Sequence, residues 1–177
     1  AGALVSEGAG RTAGLMFVAQ ARRGAFAGWL SYTLSRAERR DGPAAAWRLA
    51  DFDQPHTFTA LATWRPLPRS TLGARARVSS GFPQTPVTGA YLDARTGLDQ
   101  PIFGPHNGAR LPTFAALDLR AEHVVPLGGS ELAIALDLLN ATGRRNVEAH
   151  VYDPTYRERG SLYGLPFLLL LGARLSW

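Results

Sequence analysis

The sequence predicts an all-β fold, an antiparallel transmembrane β-barrel segment of about seven long strands. Three observations carry that reading. Apolar and polar residues alternate with period two over stretches of nine or ten residues, which marks strands with one apolar and one polar face. The connections between these stretches run short, long, short, long, which sorts loop length by end of the sheet as outer-membrane barrels do. Glycine and proline number 19 and 12 among 177 residues, about 17% against a norm of roughly 12%, and favour turns over helices.

The first strand, expected at 12–22, alternates less cleanly than most. The second, 26–36, sets Phe26, Gly28, Leu30, Tyr32 and Leu34 against Ala27, Trp29, Ser31, Thr33 and Ser35. In the third, 56–65, Phe58, Ala60, Ala62 and Trp64 oppose Thr57, Thr59, Leu61 and Thr63. The fourth, 70–79, places uncharged Leu72, Ala74, Ala76 and Val78 opposite a face holding Arg75 and Arg77. The fifth, 114–125, alternates Leu117, Leu119 and Ala121 with Asp118, Arg120 and Glu122. The sixth, 131–140, alternates Leu132, Ile134, Leu136 and Leu138 with Ala133, Ala135, Asp137 and Leu139. The seventh, 166–177, carries Phe167, Leu169, Leu171, Ala173, Leu175 and Trp177 on one face and Arg174 on the other. Soluble strands average five or six residues, whereas a tilted barrel strand needs nine to eleven. Short turns fall near 23–24, 66–70 and 126–130, and long connections near 36–55, 80–113 and 140–165.

In a barrel the apolar face meets lipid and the charged face lines the lumen. Arg75, Arg77, Asp118, Arg120, Glu122, Asp137 and Arg174 are therefore expected to face the lumen. Their interleaved signs favour mutual salt bridges that keep the wall polar, over contact with a plug or an anionic solute. Phe26, Trp64 and Trp177 lie at the short-turn end of the lipid face, and Tyr32 and Phe58 toward the long-loop end, as two interfacial girdles. Seven antiparallel strands do not close, and an open edge in lipid costs several kcal/mol per unpaired backbone group. No basic segment leading into an apolar one opens the chain as in a signal peptide. Both features predict part of a larger barrel.

Composition removes several function classes. Without cysteine there is no thiolate metal site, thiol nucleophile or redox role. All 19 basic residues are arginine, and with 14 acidic ones the net charge is +5. They are spread over strands, turns and loops without an aromatic-interleaved basic patch, so no nucleic-acid partner is expected. Asp51, Asp53 and His56 form the one cluster of metal-ligand or acid–base type. They are read as two solvated loop charges beside a strand start. His123 suits a polar-tipped ring at the interface near a short turn, and His106 and His150 stand alone in long loops. No phosphate loop or Ser–His–Asp spacing occurs. Neither enzymatic activity nor a bound metal or cofactor is expected.

Several stretches resemble the C-terminal third of the barrel in TonB-dependent outer-membrane receptors. They are Gly28-Trp29-Leu30-Ser31-Tyr32-Thr33-Leu34-Ser35, Asp51-Phe52-Asp53-Gln54-Pro55-His56-Thr57-Phe58, Ser79-Ser80-Gly81-Phe82-Pro83 with Thr85-Pro86, and Arg110-Leu111-Pro112 leading into Leu117-Asp118-Leu119-Arg120. Asp137-Leu138-Leu139-Asn140-Ala141-Thr142 is similar to the family's penultimate-strand motif. The terminal Trp177, preceded by Leu175, Ala173, Leu171, Leu169 and Phe167, resembles the signal read by the barrel-assembly machinery. The likeness spans nearly the whole chain, and the order of the pieces is more specific than any one of them.

The resemblance implies a 22-stranded parent barrel in the bacterial outer membrane, with an N-terminal plug and a TonB box that these residues do not include. It implies energy-coupled uptake of a scarce ligand such as a metal chelate or oligosaccharide. The implied partners are outer-membrane lipid, the rest of the barrel and plug, the assembly machinery, and the TonB complex. A passive channel or adhesion barrel without TonB coupling is the alternative, and a soluble β-sheet binding module is a third. Candidate ligand contacts are Phe82, Tyr91, Phe103 and His106 in the second long loop and Tyr152 and Tyr156 in the third. Aromatic side chains there either stack on a ligand or pack the loops together, and the sequence leaves both open.

Overall fold

The computed structural model describes residues 7–177, which contain strands, turns and bends but no helix. In chain order the strands are β1 (Ala9–Arg23), β2 (Phe26–Arg40), β3 (Arg48–Leu49), β4 (His56–Trp64), β5 (Ser70–Ser79), β6 (Pro83–Gln84) and β7 (Val87–Asp93). They continue as β8 (Leu98–Phe103), β9 (Ala109–Arg110), β10 (Phe114–Leu127), β11 (Ser130–Leu139), β12 (Val147–Tyr152), β13 (Arg159–Tyr163) and β14 (Leu168–Ser176). The seven long strands lie side by side in the order β1-β2-β4-β5-β10-β11-β14. Each runs antiparallel to its neighbour.

Two features differ from the sequence expectation. β1 and β2 are 15 residues each, because their ladder runs on through Arg11, Arg36, Glu38 and Arg40 after the apolar alternation has ended. The long loops hold the seven remaining strands, in the hairpins β7–β8 and β12–β13, the pair β6–β9, and β3 along β2. These pieces of two to seven residues are too short, and too interrupted by Gly and Pro, to show a period.

The turns follow from local chemistry. Arg23 pairs with Phe26 around a two-residue turn in which Gly24 has φ 56°. Leu127 pairs with Ser130 around Gly128 and Gly129, whose φ values are 57° and 112°. Positive φ at a hairpin tip matches the twist of the flanking strands.

The main sheet is a single open layer. Among the described residues, β1 and β14 each have one neighbour, and no closed barrel forms. The chain exposes 12459 Å², against about 8400 Å² for a compact monomer of its mass. Among the described residues the buried hydrophobic ones are three alanines, Ala116, Ala133 and Ala135. Backbone ladders hold the strands together without a hydrophobic core.

Register sorts the faces. Leu30, Ala60, Ala76 and Leu117 form one continuous row across β2, β4, β5 and β10. Neighbouring rows on that face hold Tyr32, Phe58 and Val78, and Gly28, Ala62, Ala74 and Leu119. The apolar side chains of Leu15, Phe17, Phe26, Trp64, Ile134, Leu136, Leu171 and Leu175 on this side are exposed. Phe17, which the sequence did not place in a girdle, stands beside Tyr32, which stands beside Phe58.

Candidate functional site: the polar face and the loop cap

The opposite face carries all seven residues expected at a lumen, six of them in ion pairs. Arg75 lies directly across from Asp118, with Nη2 2.7 Å from the carboxylate, and Arg77 Nη2 is 3.8 Å from it. Arg120 lies across from Asp137 at 2.6 Å and reaches Glu122 at 2.7 Å. Directly opposed charges of opposite sign stabilise a strand pair. Arg174 sits across from Ala133 and makes no ion pair among the described residues.

All three long connections leave the sheet at one end, and polar side chains stitch them into a cap. The first loop folds back along β2, where Glu38 pairs with Leu49, and Ala50 N donates to Ala37 O at 3.0 Å. Asp53 follows, with only 1% of its surface exposed. Its carboxylate accepts from Ala37 N at 2.6 Å and from the Arg110 guanidinium. Arg110 also donates to the carbonyls of Asp53 and Gly81, at 2.8 and 3.2 Å. Asn107 Nδ2 donates to Leu49 O at 2.8 Å and to Asp51 Oδ1 at 2.7 Å. Together these bonds lock the first loop to the second. Gly81 marks the closest approach, since a Cβ there would lie 1.8 Å from Leu111 O.

The third loop is tied in by asparagines. Both Ala115 N and Ala115 O bond the Asn146 side chain at 2.9 Å, so one amide stands in for a strand partner where the β10–β11 ladder stops. Asn140, in left-handed conformation with φ 47°, donates from Nδ2 to Arg144 O and Leu165 O and from its backbone N to Asp118. Asparagine tolerates that conformation better than most residues. At the loop's tip, Asp153 accepts backbone N–H bonds from Thr155, Arg157 and Glu158, and the Thr155 hydroxyl. The Thr155 hydroxyl and the Glu158 amide lower its pKa to about 2. A depressed carboxyl pKa contributes stability above its unfolded value, about 3.9, which is lost as pH falls through the folded value. Amide exchange at 155–158, corrected for intrinsic pH dependence, should stay protected above pH ~4 and lose protection by pH ~2.

The expectation of solvated loop charges is corrected at Asp53, which is buried on Arg110, while Asp51 is exposed. Asp51 holds His106 Nε2 at 3.3 Å. His56 stands apart at the start of β4, on the apolar face, with Nδ1 2.7 Å from Tyr32 Oη. Among the described residues no three His, Cys, Asp or Glu side chains are grouped to hold a metal ion.

The six candidate ligand contacts do not converge. Tyr91 and Phe103 fall on opposite faces of the β7–β8 hairpin by register. His106 is engaged by Asp51, and Tyr152 and Tyr156 pack on each other with ring centroids 6.3 Å apart. Phe82 packs edge-on against Phe52 at 6.0 Å and alone reaches the place where the three loops meet. That place is a groove of about 400 Å³ lined by Phe82, Phe114, Leu111, Gln54, Ser79 and Glu148, among others. Arg77 lies 5.4 Å over the Phe114 ring. The groove offers aromatic stacking beside a cation and a carboxylate, which suits a planar, partly polar solute. Sequence reasoning missed Phe114, Gln54 and Glu148. The polar-face position of Phe114 at the head of β10 was the one available signal. No protein-family model, curated protein or solved structure matches this chain.

Proposed function

We propose that the chain is a wall segment of a bacterial outer-membrane β-barrel, the C-terminal part of a TonB-dependent receptor. It would serve energy-coupled uptake of a scarce ligand such as a metal chelate or oligosaccharide. The observation that carries this reading is the exposed band across β2, β4, β5 and β10, uncharged from the Gly28–Leu119 row to the Tyr32–Val78 row, backed by an ion-paired face on the other side. An apolar sheet face must be covered, and lipid covers it without a second layer of protein. Among the described residues no layer lies over it, as a soluble sheet module would require. The edges β1 and β14 need further strands, since open backbone groups are not tolerated in lipid. The receptor assignment, with its plug, TonB complex and assembly machinery as partners, rests on the resemblance of the sequence stretches.

The test uses the full-length gene product. It should fractionate with outer membranes, give a β-rich dichroism spectrum in detergent, and migrate differently on gels before and after boiling. A water-soluble monomer would sink the proposal. Coupling is tested separately: a passive channel or adhesion barrel predicts a gene without plug and TonB box, and a receptor predicts both.

A further inference from the structure

The apolar face of β1 and β2 runs into charge without changing parity. Successive rows toward the long loops hold Phe17, Tyr32 and Phe58, then Leu15, Leu34 and His56, then Ala13 and Arg36, then Arg11 and Glu38. At about 3.3 Å per residue, Arg36 lies roughly 13 Å along the strand from Tyr32. Glu38 holds both guanidiniums. It accepts from Arg11 Nε at 2.7 Å with Nη2 at 2.6 Å, and from Arg36 Nε and Nη2 at 3.0 and 2.7 Å. Each arginine thus spends one edge of its fork on the carboxylate, and Nη1 of each has no partner among the described residues. The Arg11 and Arg36 side chains are 59% and 71% exposed, against 11% for Glu38. Trp47 adds a plate beneath Arg11 at 4.3 Å and Arg40 at 5.1 Å. Two guanidiniums share one carboxylate, so the rim keeps net positive charge.

We propose that this rim docks the phosphorylated headgroup of a membrane lipid whose acyl chains lie on Leu15, Phe17, Leu34 and Phe58; the proposal rests on the membrane reading above. A planar guanidinium with one edge already oriented loses little freedom when its remaining N–H groups meet phosphate oxygens. Continuity with the apolar face selects a lipid over a soluble anion, since a soluble anion would not use the leucine and aromatic rows. Arg23 is the internal control. It falls on the same face at the opposite end of β1, beside Phe26, with no carboxylate to orient it.

The test places the full-length protein in phosphatidylcholine nanodiscs doped with a fluorescently labelled phosphatidic acid and measures enrichment of that lipid at the protein. The wild type should enrich it, and Arg11→Gln with Arg36→Gln should weaken enrichment by about 30-fold, from roughly fivefold per arginine near a charged headgroup. Arg23→Gln should leave it unchanged, and excess inorganic phosphate should not displace it. If the double variant loses its boiling-dependent gel shift, Arg36→Gln alone carries the comparison. Equal enrichment in wild type and the double variant, or full displacement by inorganic phosphate, overturns the proposal. A wild type that inserts and shifts but enriches nothing overturns this inference alone, whereas one that never inserts overturns the membrane reading with it.

Discussion

Replacing Ala76 with arginine is expected to destabilise the full-length protein in lipid vesicles by about 2–4 kcal/mol, the cost of a charged side chain at the middle of a barrel's lipid face. Ala76 lies between Ala60 and Leu117 in the central apolar row, so an arginine there finds no anionic neighbour. Its chain neighbours Arg75 and Arg77 already carry the same charge on the other side of the sheet, answered by Asp118. Charge is therefore tolerated at this depth and excluded from one face. Ser31→Arg is the matched control, since Ser31 is mid-strand beside Leu30 but faces the polar side, across from Thr59. It should change stability by less than about 1 kcal/mol, as a solvated surface substitution does. Urea titration of vesicle-reconstituted protein reads both. Equal losses would reverse or erase the face assignment, and a soluble protein buried on that face would lose more than the lipid value.

The long strands were legible because their signal is repeated. β5 spends ten residues alternating Leu72, Ala74, Ala76 and Val78 with Arg75 and Arg77, and a period of two needs that length to stand out. The assignment of residues to faces also followed from pattern, and the register agrees with it, since a one-residue slip would carry Asp118 away from Arg75 and bring charge to the apolar face. The loop cap was illegible for the opposite reason. Asp53 and Arg110 are 57 residues apart, and nothing local to either marks the other as its partner. The Trp47 plate beneath Arg11 and Arg40 has the same character. Residue type leaves loop aromatics open to ligand stacking or to packing of the loops, and only the structure shows that Tyr152 and Tyr156 pack on each other. Phe114 carries no such signal because it belongs to a strand.

Asp53→Ala is expected to open the cap while leaving the wall intact. The carboxylate is buried, and its removal strands the Ala37 N–H and the Nη2 donor of the Arg110 guanidinium. Breaking a buried pair from one side costs about 3–5 kcal/mol. Arg110 retains part of its solvent contact, at 29% exposure, and keeps the Gly81 carbonyl, so about 3 kcal/mol is the expected local loss. That corresponds to roughly a 100-fold fall in protection factor for amides that the lock shields, Ala37, Ala50 and Leu111, read by hydrogen exchange in detergent. Trypsin should cut faster at Arg95, in the loop tip beyond the lock, while the boiling-dependent gel shift expected of the proposed barrel persists. Asp53→Asn should fall between, because its amide oxygen still accepts from Ala37 N but no longer carries the charge that Arg110 meets. Unchanged exchange in Asp53→Ala would mean that Asn107, which bridges Leu49 and Asp51, holds the two loops together instead; Asn107→Ala would then be the variant that releases them.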